Sequence, residues 1–392
     1  MQRLSQSPTD PDFVQNPYPF YDRLRAAGPF AIWDDYAMPM TARASVVAAV
    51  MRDRRFGREA PEGFAPPYPP HLAPFYAVEN HSMLELDGPR HARLRGLTLR
   101  AFTSRRIKAL APEIEQLAHH LIDEMPAEAD LIRDFAQKLP VILIARLLGV
   151  PETRADDLLR WSNAMVGMYQ AGRSAETEAL AIAATEDFVA FLRGHIAERR
   201  ATPADDLITH LIAAEEAGDQ LTTDELIATC ILLLNAGHEA TVHTIGNGVK
   251  ALLENGYGQE VLTPEAVPAT VEEILRQDPA LHLFTRWVQE DVEMAGQIFR
   301  RGDRIGLLLG GANHDPMVWE EPTRFRPDRP VHTHFTFGAG AHFCIGAPLA
   351  RLELQTALPI LFQRRPNLRL AEPPSYADIY HFHALKRLRV EG

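Results

Sequence analysis

Cysteine is scarce in this sequence of 392 residues: Cys230 and Cys344 are the only two. A chain of this length with two cysteines lacks the dense disulfide framework that holds small secreted domains together. The N-terminus also lacks the charged and then apolar pattern of a signal peptide. We therefore expect a cytoplasmic protein in which each cysteine is a separate thiol.

Long apolar runs are also absent. The run from Ile227 to Ala236 is interrupted by Thr229 and Asn235, and it falls short of the roughly 18 to 20 residues that a bilayer requires. Basic residues are outnumbered, since 40 Lys and Arg face 52 Asp and Glu and give a formal net charge of -12. We therefore expect neither a membrane span nor binding to a nucleic acid through overall charge.

Helical periodicity dominates what is present. Apolar residues recur every three or four positions from Ser104 to Met125, which predicts an amphipathic helix. Thr222 and Glu225 form a capping-box pattern before a long apolar run, where we expect a deeply buried helix to begin. With 46% hydrophobic residues and no repeat or linker, the sequence predicts one mainly α domain with a smaller β region. This domain spans residues 1–392, with a helix-rich core at about 85–280 and 345–365 and β-rich portions at about 28–40, 281–310 and 366–392.

The sharpest local pattern is FGAGAHFCIG, residues 337–346, which is followed directly by a helical pattern with Pro348 in its first turn. Cys344 is therefore expected at a helix N-terminus, where backbone N–H groups and the helix dipole lower a thiol pKa and hold a thiolate. The glycines around it allow a large flat group to approach the backbone closely. The alternative is a glycine-rich turn around a buried, inert cysteine.

This segment resembles the haem-binding loop of the cytochrome P450 family, Phe-x-x-Gly-x-x-x-Cys-x-Gly. Phe337, Gly340, Cys344 and Gly346 occupy its four fixed positions. The resemblance extends along almost the whole chain. It implies the mainly α cytochrome P450 fold, haem b (iron protoporphyrin IX) as cofactor, and Cys344 as the thiolate ligand of the iron. It also implies that Phe337, Gly340 and Gly346 belong to the haem-binding site.

Two further sets of residues match family motifs. Glu273 and Arg276, one helical turn apart, would form a buried structural network with Arg329 of the FRPDRP segment. The negatively charged haem propionates require cationic or donor groups. Four residues stand at the family positions for this role: His91, Arg95, Arg286 and His342. Each of these four, taken alone, is also consistent with a surface or capping residue.

The long helix contains AGHEAT, residues 236–241, which is similar to the oxygen groove of the family. Small residues at Ala236 and Gly237 would leave room over the iron, and Glu239 would support proton delivery. Ala240 stands where the family has a hydroxyl residue. Thr241 follows it, but one residue along a helix is a rotation of roughly 100°, so Thr241 cannot simply replace that hydroxyl. The alternatives are a close packing contact at Gly237 and an ion-paired core acid at Glu239.

The resemblance implies a monooxygenase that inserts one oxygen atom from O2 into a small or medium, apolar or aromatic, organic substrate by hydroxylation, epoxidation or dealkylation. By family analogy, six mostly apolar residues line the substrate pocket: Leu233, Asn235, Ala236, His282, Leu283 and Phe284. A haem domain uses the whole length of the chain. We therefore expect electrons from NAD(P)H to arrive through a separate ferredoxin reductase and ferredoxin.

Seven Lys and Arg and no acid occur between Arg90 and Lys108, and this basic segment is the candidate docking surface for an acidic ferredoxin. A solvated helix face and, more weakly, nucleic-acid binding are the alternatives. We expect a monomer. Other functions stay open, namely a peroxygenase, a dehydrating or decarboxylating variant on the same fold, and a non-catalytic haem protein that senses a ligand.

Overall fold

The structure, a computed structural model, describes residues 1–170, 173–216 and 221–392. Helices form most of it, as the sequence predicted, and this fold class is confirmed. The α-helices of the described residues are α1 Pro11–Gln15, α2 Tyr18–Ala27, α3 Ala44–Arg52, α4 Ala73–Glu79, α5 Gly88–Ala101, α6 Ser104–Ala109, α7 Ala111–Glu124, α8 Lys138–Leu148, α9 Ala155–Val166, α10 Ala175–Ala201, α11 Leu207–Glu216, α12 Thr223–Glu254, α13 Val267–Gln277, α14 Leu309–Ala312 and α15 Ala347–Arg364.

Within the described residues, the strands are short and form one larger sheet and three small ones. They are β1 Arg3–Leu4, β2 Ala31–Trp33, β3 Met38–Thr41, β4 Phe56–Gly57, β5 Glu128–Asp130, β6 Leu283–Val288, β7 Val292–Met294, β8 Gln297–Phe299, β9 Arg304–Leu308, β10 Arg369–Leu370, β11 Ser375–Tyr376, β12 Leu385–Arg387 and β13 Arg389–Glu391. The larger sheet has the order β1-β2-β3-β9-β6-β4, and the small sheets are β10-β13-β5, β11-β12 and β7-β8. In its antiparallel pair β6 and β9, Arg286 lies opposite Ile305.

Helix α12 begins with the capping box that the sequence predicted. The hydroxyl of Thr222 accepts a hydrogen bond from the backbone N–H of Glu225 at 3.2 Å, and the Glu225 carboxylate accepts one from the N–H of Thr222 at 2.9 Å. These bonds satisfy two N–H groups that have no partner within the helix. The helix then runs for 32 residues and packs against α8, α9 and α13. It therefore carries the AGHEAT segment through the helical core.

The predicted helix from Ser104 to Met125 is two helices, α6 and α7, which meet at Leu110. Pro112 lies in the first turn of α7 and has no N–H to donate back along the chain. A continuous helix would therefore lose a hydrogen bond there. The prediction of one helix is wrong at this point because a proline outweighs the apolar periodicity around it.

The segment that holds Cys344 lies between two hydrophobic clusters. One cluster joins the helices, including α5, α7, α8, α12 and α15, and Phe337 and Ile345 pack against it. The other joins α3 to the larger sheet, and Phe335 and Ala339 belong to it. This placement anchors the segment on both sides. Within the described residues, no helix is long and apolar enough to span a bilayer.

Candidate functional site

The cysteine loop, residues 337–346, has a backbone shape that its hydrogen bonds define. The N–H of Cys344 donates to the carbonyl oxygen of Phe337 at 2.9 Å. Gly340 has a φ of +71°, and a Cβ atom there would lie 2.2 Å from the carbonyl oxygen of Met51. The left-handed backbone and the contact with α3 therefore both require glycine at this position. A Cβ atom at Gly346 would lie 3.8 Å from the Cys344 sulfur, which is an ordinary contact distance.

The sulfur of Cys344 lies just before α15, beside two backbone amides. The N–H groups of Gly346 and Ala347 hydrogen-bond the thiol. We expected this position to lower the thiol pKa, but burial raises the pKa of Cys344 and outweighs these amides and the charges of Arg95 and Arg351. That expectation is wrong for the free thiol. A thiol that ligates a metal ion loses its proton outright, so the donors around this sulfur fit the role of a metal ligand.

Three of the four residues predicted to contact the haem propionates lie together at the cysteine loop. The rings of His91 and His342 have centroids 4.3 Å apart. Nη2 of Arg95 donates to the carbonyl oxygen of Phe343 at 2.7 Å, next to the cysteine in sequence. Nε2 of His342 lies 2.9 Å from Oδ1 of Asp87. These contacts place two imidazoles and a guanidinium on one side of the loop.

The fourth, Arg286, is a buried cation that is only 4% exposed. Among the described residues its guanidinium makes one hydrogen bond, to the carbonyl oxygen of Thr285 at 2.9 Å. Burial and the nearby charge of Arg58 lower the pKa of Arg286 to about 10. A buried guanidinium with unused N–H donors fits an anionic partner such as a haem propionate.

Sequence reasoning missed Arg58 and Asp87, which complete this polar region. Arg58 forms an ion pair with Glu85 and donates to the carbonyl oxygen of Thr285 at 3.3 Å. Burial raises the pKa of Asp87, but hydrogen bonds, above all from His342, outweigh it and lower the pKa. Arg58 and Asp87 are 29 positions apart and belong to no motif, so only the fold brings them to the site.

The AGHEAT segment is regular α-helix throughout. A Cβ atom on Gly237 would lie 2.7 Å from Cδ1 of Ile144, so this glycine allows α12 and α8 to pack closely. The hydroxyl of Thr241 donates to the carbonyl oxygen of Gly237 at 2.8 Å. The local distortion that would turn Thr241 into the position of Ala240 is therefore absent from this segment.

Glu239 is a buried acid with a partner on its own helix. Its Oε2 lies 3.2 Å from Nε2 of His243, one turn further along α12. Burial raises the pKa of Glu239, but hydrogen bonding with His243 and the nearby imidazoles outweigh it and lower the pKa. The pairing of Glu239 matches the alternative reading of an ion-paired core acid, and it also sets the charge state of the groove.

The six predicted pocket residues do not all lie together. Leu233, Asn235 and Ala236 share α12, and Nδ2 of Asn235 lies 3.8 Å from the sulfur of Met165 on α9. Phe284 is half-buried on β6, and the guanidinium carbons of Arg58 and Arg286 lie 5.3 and 5.8 Å from its ring centroid. Phe284 thus adjoins the cationic region of the site.

His282 and Leu283 lie elsewhere, in the core beneath the N-terminal helices. His282 is fully buried, and its Nδ1 lies 2.8 Å from the hydroxyl of Tyr21. Leu283 packs in the hydrophobic cluster that contains Tyr21 and Met40. Leu283 therefore lies in a different hydrophobic cluster from Leu233 and from Phe284. Family analogy suggested the pocket for His282 and Leu283, but the alternation of side chains along a strand turns Leu283 away from the side of Phe284.

The predicted structural network of Glu273, Arg276 and Arg329 is present and buried. The Glu273 carboxylate accepts two hydrogen bonds from Arg276, at 2.7 and 2.8 Å, and lies 3.2 Å from Nε of Arg329. Arg276 also donates to the carbonyl oxygens of Asn313 and Pro322. The network therefore ties α13 to the segment that precedes the cysteine loop.

A second ion-pair network, which sequence reasoning missed, lies beside the first. The Glu272 carboxylate accepts hydrogen bonds from Nε and Nη2 of Arg351 at 2.5 and 2.8 Å, and lies 3.1 Å from Nε2 of His334. The guanidinium of Arg351 lies over the ring of Phe337, 4.6 Å from its centroid. Arg351 therefore connects α13, α15 and the cysteine loop.

Comparisons with known proteins point to one family. The family model described as "Cytochrome P450" matches residues 173–365. The biotin biosynthesis cytochrome P450 of Bacillus subtilis (strain 168) is 34% identical over 99% of both chains. The cytochrome P450 monooxygenase PikC of Streptomyces venezuelae is 35% identical over 93% of this chain and 87% of its own.

Solved structures show the same similarity. The structure of P450BioI in complex with an acyl carrier protein ligated to hexadec-9Z-enoic acid matches with a TM-score of 0.91 and 34% identity, and covers 97% of this chain and 99% of that one. The Bacillus subtilis 168 bacillaene polyketide synthase cytochrome P450 PksS matches with a TM-score of 0.89 and 33% identity, over 98% and 99% of the two chains.

Proposed function

This chain belongs to the cytochrome P450 family, and we propose that it is a monooxygenase that inserts one oxygen atom from O2 into an apolar or aromatic organic substrate of small or medium size. Its cofactor is haem b. One observation carries the proposal: the Cys344 sulfur has two backbone amides beside it, and Arg95 hydrogen-bonds the carbonyl oxygen of the preceding residue, Phe343. Among the described residues, the buried guanidinium of Arg286 hydrogen-bonds only the carbonyl oxygen of Thr285.

When bound, the haem supplies the activation of O2 at a thiolate-ligated iron. Cys344 would ligate the iron, the amides of Gly346 and Ala347 would hold the sulfur, and Gly340 lets the loop lie against α3. Four residues would contact the propionates: His91, Arg95, Arg286 and His342.

The groove side of the site supplies protons and excludes water. Ala236 and Ala240 offer small side chains, and Glu239 provides a buried carboxylate that can hold or release a proton. Leu233 on α12 and Phe284 on β6 are partly buried apolar side chains that would favour an apolar substrate and help to exclude bulk water.

The relatives suggest one narrower class of substrate. P450BioI is described in complex with an acyl carrier protein that carries a fatty acyl chain, and PksS belongs to a polyketide synthase. An acyl or polyketide chain is apolar along most of its length, which suits the side chains of Leu233 and Phe284. Binding of free fatty acids, carrier-linked acyl chains and planar aromatics, measured as displacement of water from ferric haem, would rank these classes.

The basic segment is proposed as the docking surface for an acidic ferredoxin. Arg105 and Lys108 are exposed on α6. By contrast, Arg93 pairs with Glu225 of the α12 capping box, and Arg106 lies 3.3 Å from Asp205. The exposed charges at the α6 end of the segment are therefore the part best suited to attract an acidic partner. The electrons then come from NAD(P)H through a ferredoxin reductase.

The reduced carbon monoxide adduct tests the ligand assignment. The wild-type protein should show the strongly red-shifted band of thiolate-ligated haem, and Cys344→His should lose it. Cys230→Ala is the matched control, because Cys230 is a fully buried core residue of α12 whose thiol pKa burial raises to about 12. A wild-type adduct with the spectrum of a histidine-ligated globin would overturn the proposal.

Turnover assays separate the remaining functions. A monooxygenase should turn over with ferredoxin, ferredoxin reductase and NAD(P)H, whereas a peroxygenase or decarboxylating variant should run faster on hydrogen peroxide alone. A haem protein that only senses a ligand should bind substrates without turnover in either system. We expect the first result.

A further inference from the structure

The acid of the AGHEAT segment and His243 form a buried pair on one face of α12. Nε2 of His243 and Oε2 of Glu239 are 3.2 Å apart, and the two side chains are 11% and 12% exposed. Residues four positions apart lie on the same face of a helix, one turn from each other, so this spacing brings the two side chains within reach. The spacing of the two residues thus supports a defined contact rather than a chance approach.

The contact with the Glu239 carboxylate indicates which ring nitrogen of His243 carries hydrogen. Nδ1 is buried and has no hydrogen-bond partner within the described part of the chain. We assign the hydrogen to Nε2, where the Glu239 carboxylate can accept it, and leave the lone pair on Nδ1. The ring of Phe382, from the C-terminal segment, lies 5.9 Å from the imidazole centroid and limits its movement.

Few other groups influence the charge of Glu239. The imidazole of His238 lies near it, but burial lowers the pKa of His238 to about 4, so this ring is neutral at pH 7. On the side of α8, Gly237 contacts the apolar side chain of Ile144. Burial on its own would therefore favour the protonated acid, and the contact with His243 is the main opposing interaction.

Neighbouring hydroxyl groups do not provide that interaction. Thr241 donates to the carbonyl oxygen of Gly237 at 2.8 Å, and Thr244 donates to that of Ala240 at 2.7 Å. Both hydroxyls are therefore engaged with the helix backbone. The side chain at position 240 is a methyl group. His243 is thus the polar side chain that contacts the carboxylate of Glu239 on this helix.

We infer that His243 is a positioning residue, which holds the carboxylate of Glu239 ionised and oriented in the groove where the family has an acid and a hydroxyl side by side. The catalytic consequence rests on the proposed monooxygenase function: an oriented carboxylate directs a proton to the oxygen groove, and a neutral, mobile acid does not. The charge state of Glu239 is a property of the protein with or without turnover.

Infrared spectroscopy of the purified haem protein, with ¹³C-labelled glutamate, tests the inference directly. In the wild-type protein Glu239 should be ionised at pH 7, and Glu239→Gln should remove its carboxylate band. His243→Leu should add the C=O band of a protonated buried carboxyl group, and this band should be absent from the double variant with Glu239→Gln. His243→Asn, which keeps an N–H donor, should retain the carboxylate band. His238→Leu is the control for loss of a neighbouring imidazole: the pKa of His238 is lowered to about 4, so this ring is neutral at pH 7, and the variant should keep the carboxylate band of Glu239.

Turnover supplies a second readout. Hydrogen peroxide formed per NAD(P)H should rise several-fold in His243→Leu and stay near the wild-type value in His243→Asn. A protonated Glu239 in the wild-type protein at pH 7, or an ionised one in His243→Leu, would overturn the inference, and so would an Asn variant that behaves like Leu. If the infrared results hold but neither the wild-type protein nor any variant turns over substrate, the positioning role stands and the proposed monooxygenase function fails.

Discussion

The hydroxyl of Thr241 donates a hydrogen bond to the carbonyl oxygen of Gly237, 2.8 Å away and one turn back along α12. Gly237 in turn lies so close to Ile144 that a Cβ atom would come within 2.7 Å of that side chain. The helix is therefore held on two sides at the point where the family carries its hydroxyl. The hydroxyl of Thr241 is therefore bonded to the helix backbone, and Ala240 provides no hydroxyl group to the groove.

Single substitutions at residues 240 and 241 should therefore have unequal effects on coupling, which is the ratio of product to hydrogen peroxide formed. Ala240→Thr adds a hydroxyl beside Glu239 and should change the ratio of product to hydrogen peroxide strongly, in a direction that depends on the substrate. Thr241→Ala removes a hydroxyl that already bonds to the backbone, and should change this ratio little. Product and hydrogen peroxide per NAD(P)H consumed are the quantities to measure.

The opposite pattern would contradict the structure. Severe uncoupling in Thr241→Ala, together with no effect in Ala240→Thr, would mean that α12 is bulged at this point in the working enzyme. Substrates with their own hydroxyl or carbonyl group near the reacting carbon should couple best in the wild-type protein, since they can replace the missing group.

Gly340 should tolerate no side chain. Gly340→Ala would place a Cβ atom 2.2 Å from the carbonyl oxygen of Met51, in a backbone conformation with φ of +71°. We expect this variant to lose most of its haem, measured as absorbance per protein. Gly338→Ala is the control, because Gly338 has a similar φ of +66° but its nearest contact would be the carbonyl oxygen of His342 at 3.9 Å. Gly338→Ala should keep its haem. Equal loss of haem in both variants would mean that backbone strain alone causes the loss.

The Glu272 and Arg351 pair should stabilise the protein in a pH-dependent way. Burial raises the pKa of Glu272, but hydrogen bonds from Arg351 and His334 outweigh it and lower the pKa to about 2. A carboxyl with a lowered pKa in the folded state stabilises it fully above the unfolded-state pKa of about 4.5, and this stabilisation is lost as pH falls towards 2. The contribution is at most about 3 kcal/mol near neutral pH.

Arg351→Met should remove most of this contribution. We expect a lower midpoint of urea unfolding at pH 7 and a smaller difference from the wild-type protein at pH 3. The matched control is Arg364→Met at the end of the same helix, since Arg364 pairs with Asp123 at a more exposed position. A difference between wild type and Arg351→Met that is the same at both pH values would contradict the assignment to Glu272.

Charge reversal on α6 should weaken electron transfer without a change in substrate affinity. Arg105→Glu and Lys108→Glu remove exposed positive charges and should slow reduction by an acidic ferredoxin several-fold at low ionic strength. The difference in reduction rate between the wild-type protein and these variants should narrow at about 0.5 M salt, where electrostatic attraction over more than a few ångströms is screened. Lys386→Glu, at an exposed position on β12, is the control. Rates that respond to neither salt nor substitution would exclude this docking surface.

Local sequence signals predicted the parts of the protein that depend on short stretches of chain. The capping box of Thr222 and Glu225 located the start of α12, and the four fixed residues of the cysteine loop indicated the family. Both signals act over a few residues, because caps, turns and left-handed glycines are decided by neighbouring backbone groups. Pro112 is an equally local signal: it interrupts the helical hydrogen bonds between α6 and α7, although the apolar periodicity runs through both helices.

The tertiary structure alone decided the electrostatics of the site. A helix N-terminus predicts a low pKa for Cys344, yet burial raises it, and burial depends on packing between segments far apart in sequence. Arg58, Asp87 and Arg351 carry no motif, and they act on the site only because the sheet, α5 and α15 meet there.

The residues predicted to line the substrate pocket also show what the sequence determined and what only the fold decided. Family analogy placed His282, Leu283 and Phe284 in one pocket, whereas His282 contacts the Tyr21 hydroxyl and Leu283 packs in a different hydrophobic cluster from Phe284. The sequence by itself determined the family and the fold class, and its motif predicts Cys344 as the iron ligand. The pairing of Glu239 with His243, the side chains that line the pocket and the direction of each pKa shift depend on burial and on long-range contacts, which only the folded chain creates.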